Sequence, residues 1–254
     1  MTFDSTPHLG EPLPGGHVNQ VVRVADTVRR APTPRSSYVR ELLALFGRAG
    51  WPGAPRFLGT DERGRESFTY LPGRAALTPQ DRGAARTDEA LARLAVLVRQ
   101  FHDLTAGTPL AGDQEVVCHH DLDPRNTVYE VEAEGGAWTP VAFIDWDLAG
   151  PGRRVEDVAH VCWQYLELGP DAGDVAEAAR RMRLVCDAYG LDDAGRAALP
   201  DTVLWWQDRC RRGIAAAADA GDPAMRRLRA IGAVERLRAA HDWVAAHRDA
   251  LYAG

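Results

Sequence analysis

The hydrophobic period of the chain changes near residue 73, and that change constrains the fold more than any single motif. Before it, short valine-rich and aromatic runs alternate with turn residues. After it, apolar residues recur at helical spacing, interrupted once by a β-rich island at residues 115–146. VNQVVRVAD and TVRRA read as a tight hairpin turning near Asp26, and RFLGT and ESFTYL as two further strands joined by DERG. Between these pairs, SSYVRELLALFGRAG carries serines for an N-cap, Leu42, Leu45 and Phe46 on one face, and glycine past its end. TDEALARLAVLVRQFHDL aligns Leu91, Leu94, Leu97, Val98 and Phe101 as the stripe of a long helix. Beyond residue 155, VEDVAHVCWQYLEL, DVAEAARRMRLVCDAYG, DTVLWWQDRCRRGIAAAADA and MRRLRAIGAVERLRAAHDWVAAHRDAL read as helices parted by Gly, Pro or Asp. The expected class is α+β in two lobes: residues 1–71 with at least four antiparallel strands and one helix, and residues 72–254, mainly helical.

The 254 residues, 45% of them apolar, can bury a sizeable core. A net charge of -6 with no basic block argues against a nucleic-acid partner. No window approaches the roughly 20 apolar residues of a membrane span, and the N-terminus lacks a cationic-then-apolar leader pattern, so a cytoplasmic protein is expected. Cys118, Cys162, Cys186 and Cys210 have no paired spacing and read as buried free thiols. The sequence contains no lysine, so all 30 basic residues are arginine. That excludes Schiff-base lysine chemistry and a lysine-bearing P-loop.

Inside the island, the loop HHDLDPRN precedes two valine-rich runs separated by Gly135-Gly136. A two-residue turn centred on those glycines predicts Asn126 opposite Asp145, about 5 Å apart at Cβ. Asp121, Asn126 and Asp145 would then meet at the open end of the hairpin. An amide oxygen beside a carboxylate is a hard donor pair suited to Mg²⁺ with phosphate oxygens, and Asp121 is placed to accept a hydroxyl proton. His119, His120 and Asp121 also admit a different reading, as transition-metal ligands of a hydrolase.

The run His119-His120-Asp121-Leu122-Asp123-Pro124-Arg125-Asn126, followed by Ile144-Asp145-Trp146-Asp147, resembles the H-x-D-x-x-x-x-N loop and metal-binding aspartate of the aminoglycoside phosphotransferase family, relatives of protein kinases and choline kinase. LPGGHVNQVVRV resembles its nucleotide loop, FTYLPG its interlobe hinge, and RRVEDVAHV the arginine-to-aspartate segment after the metal aspartate. The resemblance implies a two-lobed protein-kinase-like fold that transfers the γ-phosphoryl group of ATP or GTP to a hydroxyl of a small-molecule acceptor. It further implies Asp121 as catalytic base, Asn126 and Asp145 as holders of Mg²⁺ and the phosphates, and His119 and Asp157 as supports of the loop. Thr69, Tyr70 and Leu71 would bond the adenine through backbone groups, and Gly15 and Gly16 would let the loop approach the phosphates.

Several residues depart from the family pattern. The family's phosphate-binding lysine has only an arginine counterpart in TVRR, and alternation from Val28 favours Arg30 over Arg29. Glu41 is the one glutamate on the expected helix to partner it. His120 stands where many members have glycine, and Asp123 adds negative charge. Loss of the lysine leaves a second reading open, a nucleotide-binding scaffold without catalysis.

Overall fold

The structure, a computed structural model, describes residues 10–13, 21–132 and 136–252. Its first part is a five-stranded antiparallel sheet of β1 (Glu11–Pro12), β2 (Val22–Val24), β3 (Thr27–Arg30), β4 (Phe57–Thr60) and β5 (Glu66–Thr69), in the order β1-β2-β3-β5-β4. The hairpin at Asp26 is a two-residue turn: Val24 pairs with Thr27, and Ala25 takes φ +52°. At the β4–β5 turn, Asp61 accepts from the N–H groups of Arg63 and Arg65, an Asx-type closure that DERG encodes.

Helix α1 (Ser36–Arg48) crosses between β3 and β4 in sequence. Val39, Leu42, Leu43 and Phe46 form its buried stripe, and Gly50 at φ +69° follows its end. The expected serine cap is absent, because Ser36 has other partners: its hydroxyl accepts from Thr33 N and donates to Glu66 Oε2. Glu41 falls off the stripe and is exposed. The expectation that it partners Arg30 is corrected by Glu66, which lies directly across from Arg30 on β5 and is 1% exposed. Glu66 receives Arg40 Nε at 3.0 Å and Arg30 Nε at 3.6 Å.

Beyond β5 the chain passes through Gly73. Its φ of +140°, and the 2.7 Å from a built Cβ to Tyr129 O, leave room for glycine alone. Two further helices follow, α2 (Pro79–Ala84), closed by a Thr78–Asp81 capping box, and α3 (Asp88–Thr105), capped by Thr87. β6 (Val116–Cys118) leads into the polar loop, and β7 (Thr127–Val131) and β8 (Trp138–Phe143) form the hairpin. β9 (Gly150–Gly152) pairs antiparallel with β6. The remainder is α4 (Arg154–Leu166), α5 (Val175–Tyr189), α6 (Asp193–Asp219), α7 (Pro223–Ala230), α8 (Ala233–Ala246) and α9 (Arg248–Tyr252). α6 starts eight residues earlier than its apolar pattern suggests, with Asp192 as N-cap and Pro200 within it. The last long helical stretch is broken at Gly232, φ +78°.

The hairpin register differs from the expected one. Glu132 N bonds Ala137 O, so the connection is four residues long rather than two. The pairing then runs Tyr129 to Pro140, shifts, and continues Val128 to Ala142 and Thr127 to Phe143. Proline has no N–H for the ladder, and the irregularity falls beside it. Asn126 O consequently accepts from Ile144 N, and Asp145 lies one residue past that pair in a left-handed conformation, φ +63°.

One aromatic cluster ties the lobes together. Trp146 packs within 5.2 Å, centroid to centroid, of both Phe46 from α1 and Phe101 from α3, and Trp51 closes on Phe46 at 4.8 Å. Phe46→Ala should cost about 3–5 kcal/mol in urea unfolding, as for a fully buried ring. Glu66→Ala should cost about 1–3 kcal/mol by removing the buried acceptor of Ser36, Arg30 and Arg40, whereas Glu41→Ala should change stability by less than about 0.5 kcal/mol. Equal losses at Glu41 and Glu66 would contradict the pairing described.

Candidate functional site

The loop after β6 is built around a buried carboxylate. Asp157, in the first turn of α4, has no solvent exposure. Its Oδ2 accepts from His119 N at 2.7 Å and its Oδ1 from His120 N at 2.9 Å, while His102 Nε2 lies 3.1 Å from Oδ2. Burial alone would raise this carboxyl, but the His102 hydrogen bond and the charge of His120 pull it well below the usual range. Burial keeps His102 neutral, so its Nε2–H donates to Asp157 and its Nδ1 accepts from Tyr189 Oη–H at 2.7 Å. Periodicity alone could have flagged His102, which continues the α3 stripe of Val98 and Phe101.

Three further side chains set the loop's course. His119 Nε2–H donates to Ile144 O at 3.1 Å and its Nδ1 accepts from Asp121 N at 3.3 Å, a tautomer consistent with burial holding the ring down at about 4. Asp123 caps the short turn Pro124–Asn126, accepting from Arg125 N and Nε, each at 2.8 Å. His160 Nδ1 bonds Leu122 O from α4.

Asp121 and Asn126 are brought into direct contact: the Asn126 amide donates to Asp121 O at 2.9 Å and to Oδ2 at 2.8 Å. With its nitrogen so committed, the amide oxygen is free to serve as a donor atom toward a cation. Burial and the charge of Asp123 raise Asp121 above the usual carboxylate range. Burial, Asp147 and then Asp121 raise Asp145 to about 6. Two carboxylates that each resist ionisation, beside an amide oxygen, form a hard-oxygen donor set short of positive charge, which fits a magnesium ion.

Arginine 30 reaches the same region from the small lobe. Arg29 pairs with Asp61 at 3.2 Å, while Arg30 places Nη1 2.7 Å from Asp147 Oδ2. At the hinge, Thr69 N donates to Arg56 O and Tyr70 N to Asp26 O, and Leu71 follows, partly buried. Gly15 and Gly16 lie outside the described residues.

His119, His120 and Asp121 do not converge as the ligands of one metal ion. Both nitrogens of His119 are committed as above, and those of His120 face Leu148 O and Glu156 Oε2, each at 3.2 Å. Among the described residues, no cluster of three metal-donor side chains contains His119 or Asp121. His120 has φ +64°, which explains why glycine suits this position. Of the adjacent tryptophans, Trp206 is buried, its Nε1 donating to Glu156 O, and Trp205 is 42% exposed.

Residues 109–199, which contain the loop, Asp145 and Asp157, match the phosphotransferase enzyme family APH. The trifolitoxin immunity protein of Rhizobium leguminosarum bv. trifolii is 31% identical over 215 residues, covering 76% of this chain and 78% of the relative. Among solved structures, a choline/ethanolamine kinase family protein from Mesorhizobium loti superposes with a TM-score of 0.61 at 18% identity, over 96% of this chain and 92% of its own. The GDP complex of aminoglycoside 2'-phosphotransferase-IIIa gives 0.58 at 14% identity, over 93% and 92%. The fold is thus the two-lobed kinase-like one, no helix among the described residues is long and apolar enough to cross a membrane, and the chain belongs to the APH phosphotransferase family.

Proposed function

We propose that this protein is a small-molecule kinase that transfers the γ-phosphoryl group of ATP or GTP to an acceptor hydroxyl. The observation that carries this reading is the contact of Asp121 with Asn126 beside a charge-starved Asp145. Asn126 and Asp145 would hold Mg²⁺, which when bound neutralises charge on the phosphates. Asp121 accepts the acceptor's proton as the new O–P bond forms and the bond to the β-phosphate oxygen breaks. Its raised proton affinity brings it closer to the strength a general base needs. Asn126 fixes the orientation of that carboxylate, and Asp157 with His119 holds the loop backbone from behind. Arg30 steadies the α- and β-phosphates. With the Thr69 and Tyr70 N–H groups already engaged, the Leu71 N–H and the hinge carbonyls are the groups left for adenine.

The name of the immunity relative supports an acceptor that is a toxin or antibiotic with a free hydroxyl. One observation favours a silent scaffold instead: the charge of Arg30 is already shared between Asp147 and Glu66. The two readings separate in an assay of ADP or GDP release with Mg²⁺ across hydroxylated antibiotics, peptide toxins and metabolites. Acceptor-dependent turnover supports the kinase. Nucleotide binding without turnover on any acceptor supports the scaffold.

In the active enzyme, Asp121→Asn should lower kcat by at least about 100-fold while nucleotide affinity is retained; full activity would remove the base from its role. Asp145→Ala should weaken Mg²⁺-dependent nucleotide binding in calorimetry, and unchanged affinity would count against its place as metal holder.

A further inference from the structure

At the start of the loop, where β6 meets β9 and α4, a second set of donor atoms converges that the phosphotransfer reading leaves unused. Cys118 Sγ at the end of β6, His120 Nε2 on the loop and Glu156 Oε2 in the first turn of α4 all lie within 4.8 Å of one another. They face a common point beside β9. A Cβ built on Gly152 would stand 2.8 Å from Sγ, 2.8 Å from Oε2 and 3.0 Å from Nε2. Glycine keeps that space free, and any other residue would fill it. Its φ is not in the left-handed region, so backbone conformation is not what calls for glycine here.

We propose that Cys118, His120 and Glu156 form a zinc site with a fourth position open to solvent. Thiolate, imidazole and carboxylate are a borderline-soft set that selects zinc over magnesium. Zinc bonds of about 2.0–2.3 Å in a tetrahedron place donors roughly 3.3–3.8 Å apart, and His120 Nε2 is already 3.2 Å from Glu156 Oε2. The outer partners match what a ligated site needs. His120 Nδ1–H donates to Leu148 O, which leaves Nε2 for the metal, and Arg153 Nε donates to the other Glu156 oxygen at 3.3 Å. Without an ion the thiol donates to Arg153 O and the imidazole carries its second proton toward Glu156. Zinc takes the place of both protons.

The backbone gives an independent reason to look for a ligand at this position. His120 holds φ +64°, a conformation that costs a side-chain-bearing residue energy and glycine none. The imidazole therefore occupies this position at a conformational cost. Access is available, since the His120 and Glu156 side chains are 18% and 16% exposed. The neighbouring group of His102, Cys118 and Asp157 does not compete, because both Asp157 oxygens are taken by loop N–H groups. A bound ion would cross-link β6, the start of the loop, and α4.

The test is zinc content of the full-length protein after equilibration with zinc and gel filtration, together with the absorption spectrum of its cobalt-substituted form. The expected result is one zinc per chain and a thiolate-to-cobalt charge-transfer band with the ligand-field bands of a tetrahedral ion. Cys118→Ser and Gly152→Ala should abolish both, the second by filling the cradle with all three donors intact. His120→Gly relieves the backbone and so should fold at least as well, yet lose affinity by more than about 10–100-fold. Cys210→Ser and Asp145→Ala should retain the metal. Circular dichroism checks each variant for folding, and His120→Gly decides the matter if the others misfold. No retained zinc in the parent protein, or a spectrum unchanged in His120→Gly or Gly152→Ala, would overturn the proposal.

Discussion

Two backbone N–H groups and one imidazole converge on the Asp157 carboxylate, and the course of the loop depends on that convergence. An uncompensated buried carboxylate would cost several kcal/mol, so the three donors and the acceptor specify one another. Because two of them are consecutive main-chain groups, His119 N and His120 N, the loop has little freedom to rotate about its entry from β6. The constraint continues outward. His102 is oriented by Tyr189, whose hydroxyl also receives Arg154 Nη1 at 3.2 Å, so α3, α4 and α5 are locked to the same charge. Asp121 inherits its backbone position from this frame, and its carboxylate is then oriented by the Asn126 amide.

The other half of the site is positioned by packing. Trp146, immediately after Asp145, is 2% exposed and wedged among Phe46, Phe101 and the ring of His119, the last at 4.5 Å. Its Nε1–H is satisfied by Phe143 O. A large ring fixed on so many sides leaves the preceding residue to absorb the turn, and Asp145 does so in a left-handed conformation. The hydrophobic core and the strained carboxylate are therefore one construction: moving the ring would move the charge.

Much of this was legible in the sequence because it is local. The two-lobe division, the strands around α1, the α3 stripe and the polar loop each rest on period or turn chemistry within a short window. The meeting of Asp121 and Asn126 was legible for the same reason, being five residues apart on one loop. What escaped depends on distant pairings. Glu66 meets Arg30 only because β5 inserts beside β3 in the sheet, an order no local pattern records, so the helical Glu41 looked the better partner. The hairpin register slipped by one because Pro140 forces an irregularity and the connection is longer than the glycine pair implied. β9, reading Gly-Pro-Gly, carries no strand propensity at all and exists because β6 offers it an edge.

The fork of Arg30 has two anions within reach. Its Nε faces Glu66 of its own sheet while Nη1 reaches Asp147 of the other lobe. A single ammonium is a point charge on a flexible stem and has no geometry with which to address two anions lying in different directions. Arg30 thus hydrogen-bonds one carboxylate and lies within ion-pair distance of a second. Its chemistry joins the turn after Asp145 to the sheet, and an ammonium in its place would keep only one of the two contacts.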